Sequence, residues 1–412
     1  MKLSKNTYIC DKCFCLPYKI ATMIQVEEAL SIIAQNSTKM PVQTIAVNKA
    51  LGYILAETIY SPIAMPPFRQ SAMDGYAFIH SERHQYDVIG LSQAGDHSKI
   101  KLKENEAVRI FTGAFVPNNA DTVVMQEHVL ANDKSILITR MPEQHLNVRA
   151  KGEQIQEGEV VFEANTLITP AAIGFLACLG ITEIEVFKKP KVAILVTGNE
   201  LVKPGGKLPK GKIYESNSVM LQTALQTIGV KKSKVYTVKD NLKATKKALK
   251  EILKKYDVVL VSGGISVGDY DFVKEALLAN GVEELFYKIN QKPGKPMFFG
   301  SKKETLVFAL PGNPASSLTN FYIYVYPAIK NRMGFSQTHL PKLVRKLNSG
   351  FINTSGKTLF LKALYDETNV TILEGQSSAM LNTFAIANSL LIVPHDKESL
   401  KKGEQVTLLP IN

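Results

Sequence analysis

The 412-residue chain has no tryptophan, only four cysteines and seven histidines, and no apolar run long enough to cross a bilayer. Each shortage excludes something. Without Trp, and with no interleaving of aromatic and basic residues, recognition of nucleic acid has little support. Cys10, Cys13 and Cys15 form a cluster that lacks a nearby fourth ligand for a tetrahedral zinc site, and Cys178 stands far away. No leader with a small-residue cleavage site is present, so we expect a soluble, cytoplasmic protein with no membrane partner, in which structural disulfides are not expected. Residues 1–22, which precede the first periodic segment, are expected to be a disordered extension. The P-loop pattern and the Gly-x-Gly-x-x-Gly fingerprint are both missing, which disfavours an ATPase or a dehydrogenase. No nucleophile elbow is visible, and the histidines are scattered.

What is present is a globular composition, 45% hydrophobic and 21% charged, in a chain long enough to require several domains. The formal net charge is +12, with many lysines between Lys203 and Lys303. Such a balance describes either a solvated surface or a protein that attracts an anion, such as a phosphorylated small molecule.

Periodicity divides the chain. A helix over 26–35 and extended segments to 58 belong, with residues 147–188, to a connector spanning 23–62 and 147–188. There, Thr169-Pro170 opens a helix over 171–179 that Gly180 closes. Residues 63–146 read as a small β-rich domain, with strands over 107–111, 121–129 and 135–138. From 189 to 335, apolar strands (192–196, 234–238, 258–261, 306–310) alternate with amphipathic helices capped by Ser216 or Asn217 and by Asn241. Another long helix begins at Pro314 and ends near Gly334. That alternation predicts an α/β domain whose parallel sheet is covered on both faces, with ligands beyond the carboxyl ends of its strands. Strands return over 336–412 as a C-terminal β domain. The fold class is therefore multidomain α/β: one parallel-sheet domain plus small β-rich domains.

Three loops follow strands of the parallel sheet: Thr197-Gly198-Asn199-Glu200-Leu201; the 262–271 loop, with Ser262, Gly263, Gly264, Ser266 and Asp271; and Leu310-Pro311-Gly312-Asn313-Pro314. Glycine-rich backbone before a helix N-terminus exposes N–H groups and suits phosphate. Each loop alone could be only a tight turn, but three at one sheet edge point to a site. Glu200 and Asp271 reach the same edge and suggest Mg²⁺ shared with phosphate. Asp240 follows another strand and reads equally as a ligand or as a helix cap. Lys288, Lys292 and Lys295 lie on a Pro-stiffened segment, where fixed cations can stabilise developing negative charge. Upstream, Ser71-Ala72-Met73-Asp74-Gly75-Tyr76-Ala77 places Asp74 beside a glycine that accepts positive φ, a signature of a tight turn or of a presented carboxylate.

These segments, with Arg109-Ile110-Phe111-Thr112-Gly113-Ala114, Val124-Met125-Gln126-Glu127 and Lys292-Pro293-Gly294-Lys295-Pro296, run in the order found in the molybdopterin molybdotransferase family, which includes the C-terminal part of gephyrin; the chain resembles that family from Met23 onward. The resemblance implies an L-shaped homodimer. In it, Asp74 and Thr112 complete a cleft with the other subunit's Glu200, Asp240, Asp271, Lys288 and Lys292, and the last domain adds a wall near Gln376, Ser377 and Ser378. It implies Mg²⁺-assisted insertion of molybdate into adenylylated molybdopterin with release of AMP, with Asp271 and Glu200 on the metal. A molybdopterin adenylyltransferase and acceptor molybdoenzymes are the implied partners. Adenylyl transfer by the parallel-sheet domain and a non-enzymatic scaffold are the alternatives. Glu215, Gln154 and Lys362 stand where the family more often has Asp, Asp and Arg.

Overall fold

A computed structural model describes residues 23–96, 100–265 and 272–411. The cysteine cluster, Ser266 and Asp271 lie outside the described residues. By internal contacts the chain divides into one compact unit of residues 42–186 and another of residues 23–41 with 187–411. No helix among the described residues is long and apolar enough to cross a membrane.

In the first unit a six-stranded sheet has the order Thr122–Met125, Gly75–Phe78, Glu106–Ile110, Gln85–Ser92, Ser135–Ile138, Val129–Ala131. Small cores cover its two faces. Ala77, Val108, Ile110 and Val123 point one way, and Phe78, Ala107, Val124 and Ile136 the other, as the period of two requires. The strand expected over 121–129 is interrupted: Gln126–His128 forms a 3-10 turn between two shorter strands. Gly75 also differs from expectation. It sits within a strand and not at positive φ; a Cβ there would lie 1.8 Å from the Val124 carbonyl oxygen. Close strand approach, not turn geometry, is what this glycine allows. The connector segments share a core of Val47, Leu55, Ile168, Leu176 and Val186. Its helix Pro170–Cys178 starts as expected, with the Thr169 hydroxyl accepting from Ala172 N at 3.2 Å.

The second unit is built on another six-stranded sheet, ordered Ser233–Val238, Val192–Thr197, Val258–Ser262, Thr305–Leu310, Phe298–Lys302, Glu283–Tyr287. The first four strands are parallel; Phe298–Lys302 runs antiparallel to both its neighbours, so Glu283–Tyr287 again follows the first four, and the two extend the sheet beyond its expected edge. Alternate residues feed two cores. Ile194, Val196, Leu260 and Phe308 pack under the helices Val26–Asn36 and Asn217–Thr227, while Leu195, Val259, Val261 and Val307 pack under Leu242–Ile252 and Phe272–Ala279. This explains why the central strands read as unbroken apolar runs. The helix expected from Pro314 is continuous to Arg332 but contains a π turn, Phe321–Val325. Pro327 has no N–H to return to Ile323, and the helix absorbs the break as the wider turn.

The chain leaves Val192–Thr197 for the strand on one side of it and later returns to Val258–Ser262 on the other, so the topological switch point lies between their carboxyl ends. Gly263 occupies that point, with φ +92°; a Cβ there would lie 2.7 Å from the Thr197 carbonyl oxygen. The C-terminal strands Leu343–Leu347, Thr358–Tyr365, Asn369–Ile372, Ser389–Val393 and Gln405–Pro410 close on themselves, because Ser389–Val393 pairs with both Thr358–Tyr365 and Gln405–Pro410. The short strand Gln291–Lys292 joins this barrel as a parallel neighbour of Thr358–Tyr365. Through it the Lys292 segment belongs to both parts of the unit.

Candidate functional site

Beyond the switch point opens a cavity of about 1230 Å³. Of the residues singled out in the sequence, Glu200, Asp240, Ser262, Gly263, Gly264, Lys292, Lys295, Pro311, Gly312, Asn313, Pro314 and Ser377 line it. Lys288 does not. Its side chain lies over the Tyr287 ring, 5.0 Å from the centroid. Asp74 and Thr112 belong to the other unit. There the Asp74 carboxylate accepts both the Thr112 amide and its hydroxyl at 2.8 Å. Those two bonds, the amide first, hold the Asp74 carboxyl below the usual carboxylate range, against a small opposing effect of burial.

The three sheet-edge loops are tied to one another. Asn217 Nδ2 donates to Ser262 Oγ at 2.8 Å and to the Gly312 carbonyl at 2.7 Å, fastening the second loop to the third. Asp240 fastens the first. One of its oxygens accepts the Thr197 hydroxyl, and the other accepts Asn199 N at 3.0 Å. Asp240 therefore does not cap the following helix; Asn241 does, accepting Ala244 N at 3.1 Å. Neither Ser216 nor Asn217 caps the helix Asn217–Thr227. Glu215 does so from one residue further out, accepting the Ser218 amide at 2.8 Å and its hydroxyl. Glutamate has the extra reach this requires.

The cavity is bipolar. Glu200, Glu215 and Asp240 line it, as do Lys292, Lys295 and Lys357. Glu215 and Asp240 spend their oxygens on the helix and loop contacts just described, which leaves Glu200, among the described residues, as the exposed acid lining the cavity. Among the described residues no group of three or more His, Cys, Asp or Glu is placed to hold a metal. A single carboxylate facing a phosphate site still fits Mg²⁺, which takes few protein ligands and shares substrate phosphate.

The wall from the C-terminal barrel is built around Lys362, which is 3% exposed. Its Nζ donates to the carbonyls of Gly375, Ser377 and Met380 at 2.7, 3.2 and 3.0 Å. Burial lowers the pKa of this ammonium. The loop it gathers presents the Ser378 carbonyl to Ala315 N at 3.1 Å and the Ser378 hydroxyl to Asn313 Nδ2 at 2.9 Å. Sequence reasoning missed Lys357 and Asn217. Lys357 sits on a loop held by Asn353, whose Nδ2 donates to the Lys357 carbonyl at 3.0 Å; only the pairing of Gln291–Lys292 with the barrel could have placed it.

Parallel strands, glycine loops at a switch point, and a cavity lined by lysines and carboxylates mark a multidomain α/β protein with a charged ligand cleft. Matches to known families agree: residues 24–180 match the MoeA N-terminal region (domain I and II), residues 193–331 the "Probable molybdopterin binding domain", and residues 345–411 the MoeA C-terminal region (domain IV). A molybdopterin molybdenumtransferase of Staphylococcus aureus strain Mu50 is 33% identical over 94% of this chain and 95% of its own length. One from Haemophilus influenzae is 34% identical over 95% and 99%. The crystal structure of the molybdopterin biosynthesis MoeA protein of Pyrococcus horikosii superposes with a TM-score of 0.81 at 31% identity, over 94% of this chain and 99% of that one. The chain belongs to the molybdopterin molybdenumtransferase (MoeA) family.

Proposed function

We propose that the cavity is where this chain, a molybdopterin molybdotransferase of molybdenum cofactor biosynthesis, receives adenylylated molybdopterin and molybdate and releases AMP. The observation that carries the reading is the meeting, in one cavity, of three glycine loops with Glu200, Lys292 and Lys295. Backbone N–H groups near Gly264 and Gly312 suit the phosphates, while the Gly263 N–H ties its loop to the Leu310 carbonyl. Lys292 and Lys295 neutralise molybdate and the charge that grows on the departing AMP. Both substrates are anions, which accords with a net charge of +12. Glu200 would hold Mg²⁺, with Asp271 as its second carboxylate; when bound, the ion would withdraw charge from the phosphoanhydride oxygens. Asp240 keeps the first loop in place rather than touching the ion.

The working molecule in this reading is a cytoplasmic homodimer, with Asp74 and Thr112 of one subunit completing the cleft of the other. A molybdopterin adenylyltransferase supplies the substrate, and molybdoenzymes accept the product. Complementation tests the shared cleft. Assayed at one molybdate concentration well below saturation, Asp74→Ala and Lys292→Ala proteins should each show little activity, and mixed subunits should recover about a quarter of the parent activity, because random assortment leaves one intact cleft in half of the dimers. Mixtures that stay inactive, with subunit exchange verified, would place both residues in one subunit's cleft and overturn the arrangement.

A further inference from the structure

Beneath the segment that carries Lys292 and Lys295 lies a polar network sealed from solvent. Gln291, Asn320 and Tyr324 are each 0% exposed. Gln291 Nε2 donates to the Pro293 carbonyl at 2.9 Å and to Asn320 Oδ1 at 2.7 Å. Asn320 Nδ2 donates to the Gly294 carbonyl at 3.1 Å, and the Tyr324 hydroxyl donates to Gln291 Oε1. The two carbonyls between the lysines are thus both held from below. Gly294 is fitted to this floor: its φ is +85°, and a Cβ there would lie 2.4 Å from Asn320 Oδ1. The network draws on two elements. Asn320 ends the helix Pro314–Asn320, and Tyr324 lies in the π turn that follows.

We infer that Gln291, Asn320 and Tyr324 are positioning residues that fix the separation of the Lys292 and Lys295 side chains, so that the pair takes an oxyanion of set size. Buried polar groups without partners cost more than bonded ones gain, so three such groups are retained only where they are mutually satisfied. Here Gln291 and Asn320 each donate to one of the two carbonyls between the lysines, and Tyr324 holds Gln291 in place. Two lysines on a loose loop would bind any anion weakly. Two lysines on a fixed floor favour one spacing and avoid ordering the loop on each binding event. The inference rests on the role given above to the lysines.

The test compares Tyr324→Phe, Asn320→Ala and Lys292→Ala for molybdate-dependent AMP release, together with amide exchange over residues 292–296. Tyr324→Phe keeps the ring but leaves Gln291 Oε1 without its donor, so it should fold with a modestly lowered Tm. Its KM for molybdate should rise about fivefold, with kcat changed less than twofold, and its 292–296 amides should exchange faster. Asn320→Ala should show the same split, with KM raised about twentyfold. An unchanged KM in Tyr324→Phe beside a raised one in Lys292→Ala overturns the positioning role alone. An unchanged KM in both overturns the anion role of the lysines and the positioning role with it.

Discussion

Replacing Lys362 by methionine should release the Gly375–Met380 loop while leaving the barrel standing. The ammonium makes three hydrogen bonds to carbonyls of that loop. Charge-assisted bonds are each worth roughly 1.5–3 kcal/mol when simply deleted. Against this stands the desolvation of a buried cation, which is several kcal/mol and acts in the direction of this residue's lowered pKa. Methionine restores most of the alkyl packing, and Ser377 is exposed, so its carbonyl can turn to water. The balance is a loss of about 2 kcal/mol of loop stability, or roughly thirtyfold at 1.36 kcal/mol per decade. Hydrogen exchange followed by mass spectrometry reads this directly, since local opening sets the exchange rate. A peptide covering 374–381 should exchange about thirtyfold faster, and one covering 359–365 should hardly change. Lys362→Arg should return part of the protection, because its planar fork cannot aim at three carbonyls as an ammonium can. Equal exchange of the loop in parent and Lys362→Met would refute the view that this lysine builds the wall.

Gly75→Ala should be severely destabilising, because its Cβ meets backbone atoms of Val124 that cannot swing aside. Opening the pairing with Thr122–Met125 should cost about 3 kcal/mol and lower the Tm of that unit by roughly 6–12 °C; a Tm within 2 °C of the parent would contradict the packing argument. Lys330 gives a pH signature. Burial, and then the charge of Lys189, lowers its pKa to about 8, against 10.5 for an unperturbed lysine. Between those values the unfolded chain holds a proton that the folded chain has lost, so stability contributed at this site rises with pH from 8 to 10.5. Lys330→Met should therefore be the more stable protein at pH 7 by a margin that narrows through this window; a constant margin in denaturant titrations would refute the shift.

Most of the fold and much of the site are legible in the sequence because the relevant signals are local. Val192–Thr197 and Val258–Ser262 are unbroken apolar runs, and the glycines that follow each run mark the sheet edge where the cavity opens. Asn241 and Thr169-Pro170 cap helices as their positions suggest. What escapes depends on partners distant in sequence. Gly75 and its neighbour Asp74 read as a turn, whereas the glycine answers to the Val124 backbone about fifty residues away. Asp240 looks as much like a helix cap as a ligand, and its partners, Thr197 and Asn199, lie on another strand end. Lys288 shares its segment with Lys292 and Lys295, but its ammonium lies over the neighbouring Tyr287 ring and is not among the groups lining the cavity. Lys357 enters only because Gln291–Lys292 adds itself to the barrel, a pairing between segments some sixty-five residues apart. Phe298–Lys302 is joined to Glu283–Tyr287 and to Thr305–Leu310 with no helix between, so nothing marked it as part of an alternating pattern.

The most direct test of the account is AMP release from adenylylated molybdopterin by the purified chain with Mg²⁺, measured with and without molybdate. The account predicts release that requires molybdate, saturates with it, and falls at least tenfold in Glu200→Gln. A folded protein that binds the adenylylated substrate but releases no AMP when molybdate is added would contradict it.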